Sequence, residues 1–202
     1  MKLYFSPGAC SLSPRISLLE AGITSTTQKV DTKTHKLDDG SDFYAINSRG
    51  YVPVLQLDNG EFLTEGPAIV QYIADQKPES GLAPKAGTME RVRLQEMLNF
   101  ITTEIHKGFS PLFDPTLAPE VKQVFKDKLG KRFDWLSTQL QGKDYLMGNH
   151  FTVADGYLFT VVNWHQWVGI DLAKWPVLVA YQARVSARPK VQEALKAEGL
   201  IK

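Results

Sequence analysis

Lys2-Leu3-Tyr4-Phe5 runs straight into Ser6-Pro7-Gly8-Ala9-Cys10, and Ser11-Leu12-Ser13-Pro14 then opens an amphipathic stretch that ends at Ala21-Gly22. A short apolar run, a Pro-Gly break and then Leu12, Ile16 and Leu19 at helical spacing predict a strand, a turn and a helix. Working outward, Thr27–Asp31 reads as a second strand, and a polar run rich in Lys, Asp and Gly covers residues 32–42. Pro53-Val54-Leu55-Gln56-Leu57 and Glu61-Phe62-Leu63 flank Asp58-Asn59-Gly60. That is a hairpin signal, because Asn-Gly tolerates positive φ. Thr64 to Gln76 follows as a helix, with Thr64 placed to cap it. Strand, helix, strand, irregular segment, hairpin, helix: the order predicts a small α/β sheet of mixed direction.

Beyond Lys77-Pro78 the pattern changes. Pro, Gly, Ser and Lys dominate up to Gly87, which predicts a first domain over 1–78, a linker over 79–87 and an all-helical domain over 88–202. Within the last, residues 88–109, 119–140, 152–168, 175–186 and 189–199 each carry helical periodicity. The chain of 202 residues is 43 % apolar and 22 % charged, an ordinary globular composition. A chain of this length buries enough surface to need no metal or disulfide. Its 23 basic and 22 acidic side chains give a net charge of +1, which argues against a protein that grips nucleic-acid phosphates. The single Cys excludes an intrachain disulfide and a zinc site built on several thiolates. No apolar run approaches the roughly 18 residues of a membrane helix, and the first residues do not read as a signal peptide. The expectation is a soluble cytoplasmic protein whose lone thiol stays reduced. The four His residues show no metal-ligand spacing, so no metal is expected. Phosphate-binding glycine loops and a Ser/His/Asp signature are missing from the sequence.

Four places could carry chemistry. Cys10 falls at the start of the first helix, where free N–H groups and the positive dipole end stabilise a thiolate. The competing reading is an inert core thiol. Val52-Pro53 opens the hairpin strand, and a cis bond there would turn the Val52 N–H and C=O outward toward an extended ligand. Thr64-Glu65-Gly66-Pro67 starts the helix that runs to Gln76, where first-turn N–H groups suit a carboxylate and Gly66 permits close approach, against the alternative of simple capping. Between 88 and 109, Leu94, Met97, Leu98, Ile101 and Ile105 form an apolar stripe. Asn99, Thr103, His106 and Ser110 form a second, polar one, with Lys107 beside it. A solvated face explains that stripe, but the want of Glu/Lys pairs points to a cleft. Thr152-Val153-Ala154-Asp155 is a capping box of structural purpose.

Taken together, these segments resemble the bacterial beta-class glutathione S-transferases, in order and spacing over essentially the whole chain. The residues that carry the resemblance are Lys2–Phe5 with Pro7–Leu12, Val52-Pro53, Asp58–Gly60, Leu63–Gly66, Thr103–Phe109 and Phe151–Asp155. It implies a thioredoxin-like N-terminal domain, an all-α C-terminal domain, and a homodimer with a glutathione site between its domains. By position, Cys10 would lie against the glutathione sulfur and form a mixed disulfide with it, with His106 hydrogen-bonding near that sulfur as the second catalytic group. Val52 would pair through its backbone with the cysteinyl part, Pro53 would be cis, and Ala9 and Tyr51 would flank them. Glu65 and Gly66 would hold the γ-glutamyl end. Asn99, Thr103, Glu104, Ile105, His106 and Lys107 would line the other wall. His35 stands where close relatives carry Lys, so the glycyl carboxylate is held more weakly near neutral pH or passes to Lys33 or Lys36. The implied function is conjugation of glutathione to small apolar electrophiles, with thiol-disulfide exchange through Cys10. The alternatives are a glutathione-dependent dehalogenase or isomerase, and a non-enzymatic adaptor on the same fold.

Overall fold

β1 (Lys2–Phe5) lies at the centre of a five-stranded sheet of order β3-β2-β1-β4-β5. Leu3 is fully buried and Tyr4 and Phe5 nearly so, which is why this run has no polar alternation. β2 (Thr26–Asp31) runs parallel to β1, pairing Leu3 with Thr27, and the crossover between them is α1 (Leu12–Glu20). β4 (Val54–Gln56) is antiparallel to β1 with Leu3 opposite Leu55, and β5 (Phe62–Thr64) pairs with β4. The hairpin turns at Gly60, φ 90, as its Asn-Gly signal requires. A two-residue β3 (Lys36–Leu37) edges the sheet within the stretch that reads in sequence only as polar.

α2 (Gly66–Gln76) buries Ile69, Val70, Ile73 and Ala74. At roughly 1.5–3 kcal/mol per fully buried aliphatic side chain, this face outweighs the helix's marginal intrinsic stability. Thr64 does not cap it. Thr64 is the last residue of β5, and the position before the helix belongs to Glu65, at φ 67 and ψ 110 with no capping side-chain bond.

The computed structural model describes all 202 residues in two compact units, Met1–Ala83 with Arg188–Lys202, and Pro84–Ala187. The last helix, α8 (Pro189–Ala197), therefore belongs with the sheet and packs on α1, whereas the sequence division at residue 88 put it with the other helices. Arg188 holds Glu20 through two nitrogens at 2.7 and 2.8 Å. Glu198, whose side chain is fully buried, accepts from the Gly8 N–H at 2.8 Å and from Arg15 Nε at 2.9 Å. Chain-end contacts of this kind leave no periodic signature in the sequence.

The second unit is helical. α3 (Met89–Phe100) starts at Thr88, whose hydroxyl accepts from the Arg91 N–H. It continues through a π-helical segment, Ile101–His106, into the short α4 (Lys107–Phe109). The 88–109 run is thus one continuous helical path with a widened turn, marked by the Lys107 N–H bonding to the carbonyl of Thr102, five residues back. α5 (Pro119–Leu140) buries Leu129, Phe133, Leu136 and Leu140. In α6 (Val153–Val162) every residue is buried. It ends six residues before the sequence reading, because residues 163–166 tighten into a 3₁₀ turn. α7 (Pro176–Ser186) completes the unit. Asp155 anchors α6 from within, accepting from the N–H groups of Leu146 and Thr152 at 2.8 Å each and from the Tyr181 hydroxyl at 3.0 Å. No helix is long and apolar enough to cross a membrane.

Candidate active site

Cys10 sits in the turn between β1 and α1, one residue before the N-cap position held by Ser11. The turn is closed by the Ala9 N–H on Ser6 O at 3.1 Å and the Leu12 N–H on Ala9 O at 3.0 Å. Gly8, at φ 72, makes the reversal, and Glu198 ties down its N–H. The half-buried Cys10 thiol donates to the Val52 carbonyl at 3.3 Å. The Val52 carbonyl is thus engaged within the chain, whereas the sequence expectation turns both of its backbone polar groups outward.

The Val52-Pro53 bond is cis, and Pro53 is buried. Val52 meets the Cys10 sulfur through its carbonyl, and its N–H has no hydrogen-bond partner within the chain. Tyr51 is 70 % exposed, and its carbonyl accepts from Asn47 Nδ2 at 2.7 Å. A Cβ built on Gly66 would meet nothing nearer than Pro53 Cγ at 4.0 Å, so the chain itself does not require glycine there. Open space next to Pro53 at the first turn of α2 is room for a ligand. The Ala68 and Ile69 N–H groups both return to the Glu65 carbonyl at 3.0 Å, and Pro67 has none, which leaves Gly66 to supply the first-turn donor. The Glu65 carboxylate points to solvent and is met by Arg49 Nη1 at 2.9 Å, while Arg49 Nη2 donates to Thr64 Oγ1 at 2.6 Å. Arg49 has no signal in the sequence beyond its charge. As an exposed pair it contributes little stability, and its effect is to fix a carboxylate in place.

His35 adopts φ 55 in the turn before β3. Its Nδ1 lies 3.1 Å from the Gly50 carbonyl, and its ring packs against Tyr44 with centroids 4.5 Å apart. A carbonyl only accepts, so Nδ1 carries the proton and Nε2 of the neutral ring is an acceptor. Lys33 and Lys36 are exposed on the same turn.

On the second unit, the π-helical turn gathers the other set. His106 is partly buried, its Nδ1 2.7 Å from the Tyr157 hydroxyl and its ring edge-on to Trp164 at 4.9 Å. Burial, with a smaller contribution from the Lys107 charge, pushes its pKa down from 6.5 to about 4. Asn99, Thr103 and Lys107 are exposed, and the Thr103 hydroxyl is spent on the Asn99 carbonyl at 3.1 Å. Glu104 is paired with Arg132. Ile105 is fully buried, so its side chain lines no wall and only its backbone remains for a ligand. The π-helical turn interrupts the regular 100° spacing on which the Asn99–Ser110 stripe is counted. Tyr157 falls within the helical run of residues 152–168, where periodicity gives it no role beyond the helix. The signal for it is a hydroxyl in a run that is otherwise almost wholly apolar, where a buried phenol must find a partner.

The N-terminal glutathione S-transferase domain model matches residues 8–76 and the C-terminal one residues 100–189. The chain is 42 % identical, over 99 % of its length and all of the relative's, to the glutathione S-transferase GstA of Escherichia coli O157:H7. A sphingomonad glutathione S-transferase solved with glutathione is similar at 48 % identity and TM-score 0.96, with both chains fully covered. The same figures hold for the beta-class enzyme of Sphingomonas chungbukensis. The chain belongs to the glutathione S-transferase family and, within it, to the bacterial beta class. The thioredoxin-like and helical fold, the transferase class and glutathione as co-substrate follow from that membership.

Proposed function

We propose that the chain conjugates glutathione to small apolar electrophiles and also exchanges thiols and disulfides through Cys10, working as a cytoplasmic homodimer in detoxification. The observation that carries this reading is the convergence, in one unit, of the Cys10 thiol, the Val52 backbone beside cis-Pro53, and the open first turn of α2 at Gly66. An extended peptide pairs with Val52 by main-chain hydrogen bonds and places a terminal carboxylate at that first turn. The γ-glutamyl end of glutathione belongs at Glu65 and Gly66, and the cysteinyl part at Val52. Ala9 and Tyr51 border it, and His35, with Lys33 or Lys36, receives the glycyl carboxylate. On the second unit, family membership supports Asn99, Thr103, Glu104, Lys107 and the backbone of Ile105 as the residues offered to glutathione, and His106 as the donor to its sulfur.

In conjugation, the glutathione thiol gives up its proton, the thiolate attacks the electrophilic carbon, and the leaving group departs with the bonding pair. In exchange, the Cys10 thiolate attacks the glutathione sulfur of a disulfide between glutathione and a second thiol. The second thiol leaves as its thiolate, Cys10 is left in a mixed disulfide with glutathione, and a free glutathione thiolate resolves it, releasing oxidised glutathione and the Cys10 thiolate. A serine hydroxyl forms no mixed disulfide. Cys10→Ser is therefore expected to abolish exchange while keeping part of the conjugation of an aromatic halide, with retention on immobilised glutathione unchanged. Full exchange activity in Cys10→Ser, or no glutathionyl adduct on the wild-type protein after incubation with oxidised glutathione, refutes the assignment.

A further inference from the structure

Tyr157 is the residue of α6 that the fold alone does not explain. It is 2 % exposed, and its neighbours in the helix are nearly all apolar. Its hydroxyl lies 2.7 Å from His106 Nδ1, and its ring stands at 78° to the imidazole with centroids 5.9 Å apart. From another side Trp164 meets the imidazole at 72° and 4.9 Å. Two aromatic rings and one hydrogen bond hold the ring in place.

We infer that Tyr157 is a positioning residue that sets the tautomer of His106: the phenol donates to Nδ1, and the imidazole proton resides on Nε2. Two arguments fix the direction of this bond. A phenol is the stronger acid and an imidazole nitrogen the stronger base, so O–H···N is favoured over N–H···O. The separation is also shorter than the usual 2.9–3.0 Å of an N–H···O bond and matches a hydroxyl donor. With its pKa near 4, His106 is neutral at ordinary pH and owns a single N–H. On Nε2 that proton is available to a thiolate. On Nδ1 it would be spent on the phenol, and Nε2 would turn a lone pair toward the sulfur. The inference rests on the reading that His106 acts on the glutathione sulfur.

The test has two arms. In the uniformly ¹⁵N-labelled protein at pH 7, the long-range imidazole correlations of His106 are expected to show protonated Nε2 and unprotonated Nδ1. Tyr157→Phe is expected to shift both nitrogens toward averaged values. A proton on Nδ1 in the wild type, or an unchanged spectrum in the variant, overturns the inference. In kinetics, Tyr157→Phe is expected to lower kcat for conjugation by about tenfold, the worth of one hydrogen bond, with KM for glutathione little changed. In a His106→Ala background the same change should do nothing further. An undiminished effect there overturns the inference, because Tyr157 would then act independently of His106. Should His106→Ala turn over at the wild-type rate, the placement of His106 at the sulfur fails. The wild-type tautomer then still upholds or overturns the Tyr157–His106 lock.

Discussion

Acid should destabilise this protein through His106. In the unfolded chain an imidazole takes a proton near 6.5, whereas burial and the neighbouring Lys107 charge delay that step in the folded protein to about 4. Between those values the unfolded state binds more protons, so unfolding free energy rises with pH across the window and is flat above it. The contribution is complete above about 6.5 and is lost as pH falls toward 4. The interval is worth 1.36 kcal/mol per pH unit, or at most about 3 kcal/mol at its lower end. Set against a typical stability of about 5–15 kcal/mol, that is a large share. Urea unfolding of the wild type and of His106→Asn from pH 8 to pH 4 isolates it, since the carboxylates common to both proteins cancel in the difference. Asn keeps a polar atom for the Tyr157 hydroxyl but does not titrate. The wild type is expected to lose up to about 3 kcal/mol relative to the variant, nearly all of it below about pH 6.5. A difference curve that is flat, or that falls above pH 7, refutes the reasoning, as does an imidazole titration of His106 at the ordinary value.

Glu198→Gln is expected to cost about 3–5 kcal/mol, because it strips a buried guanidinium, Arg15, of its counter-charge and sets an amide against either Arg15 or the Gly8 N–H. Denaturant midpoints measure this, and a loss under about 1 kcal/mol would show that the cluster is not charged as drawn. Gly50→Ala puts a Cβ 2.7 Å from His35 Nδ1 and 2.8 Å from Tyr44 Cε1, at φ 68. It should cost about 1–2 kcal/mol for the backbone alone, and should weaken glutathione binding by moving His35; calorimetric titration with unaltered affinity would contradict the second part. His35→Lys should bind glutathione more tightly than the wild type, because a free ammonium replaces a ring whose Nδ1 is spent on the Gly50 carbonyl. Unchanged affinity in calorimetric titration would remove His35 from the carboxylate.

The strand, turn and helix of residues 2–21 were legible because each is specified locally: apolar run, Pro-Gly break, helical spacing. The hairpin at Asp58-Asn59-Gly60 and the capping box at Thr152–Asp155 were legible for the same reason, since turn and cap chemistry are written in two to four adjacent residues. The errors fall where distant contacts decide. Thr64 is a good cap by type, yet its pairing with Val54 keeps it in β5 and moves the helix start to Glu65. α8 is amphipathic wherever it packs, and its attachment to α1 is fixed by Glu198 reaching Arg15 and Gly8, more than 180 residues away in sequence. No spacing rule contains that.

The candidate site divides in the same way. Cys10, Val52 and Gly66 could be singled out because a strand-to-helix turn, an X-Pro bond and a glycine before a helix each have a backbone meaning in sequence. What sequence could not give is the state of those groups. The Cys10 sulfur is hydrogen-bonded to the Val52 carbonyl, and burial, with the Lys107 charge, pushes the His106 pKa down to about 4. The widened turn at Ile101–His106 joins the two levels. Ile101, Ile105 and Phe109 stay in the core, four residues apart, while the chain takes up an extra residue between Thr102 and Lys107. The apolar positions therefore specify where this helix lies, and the hydrogen bond between His106 and Tyr157 accompanies a departure from helical spacing that periodicity, by construction, does not register.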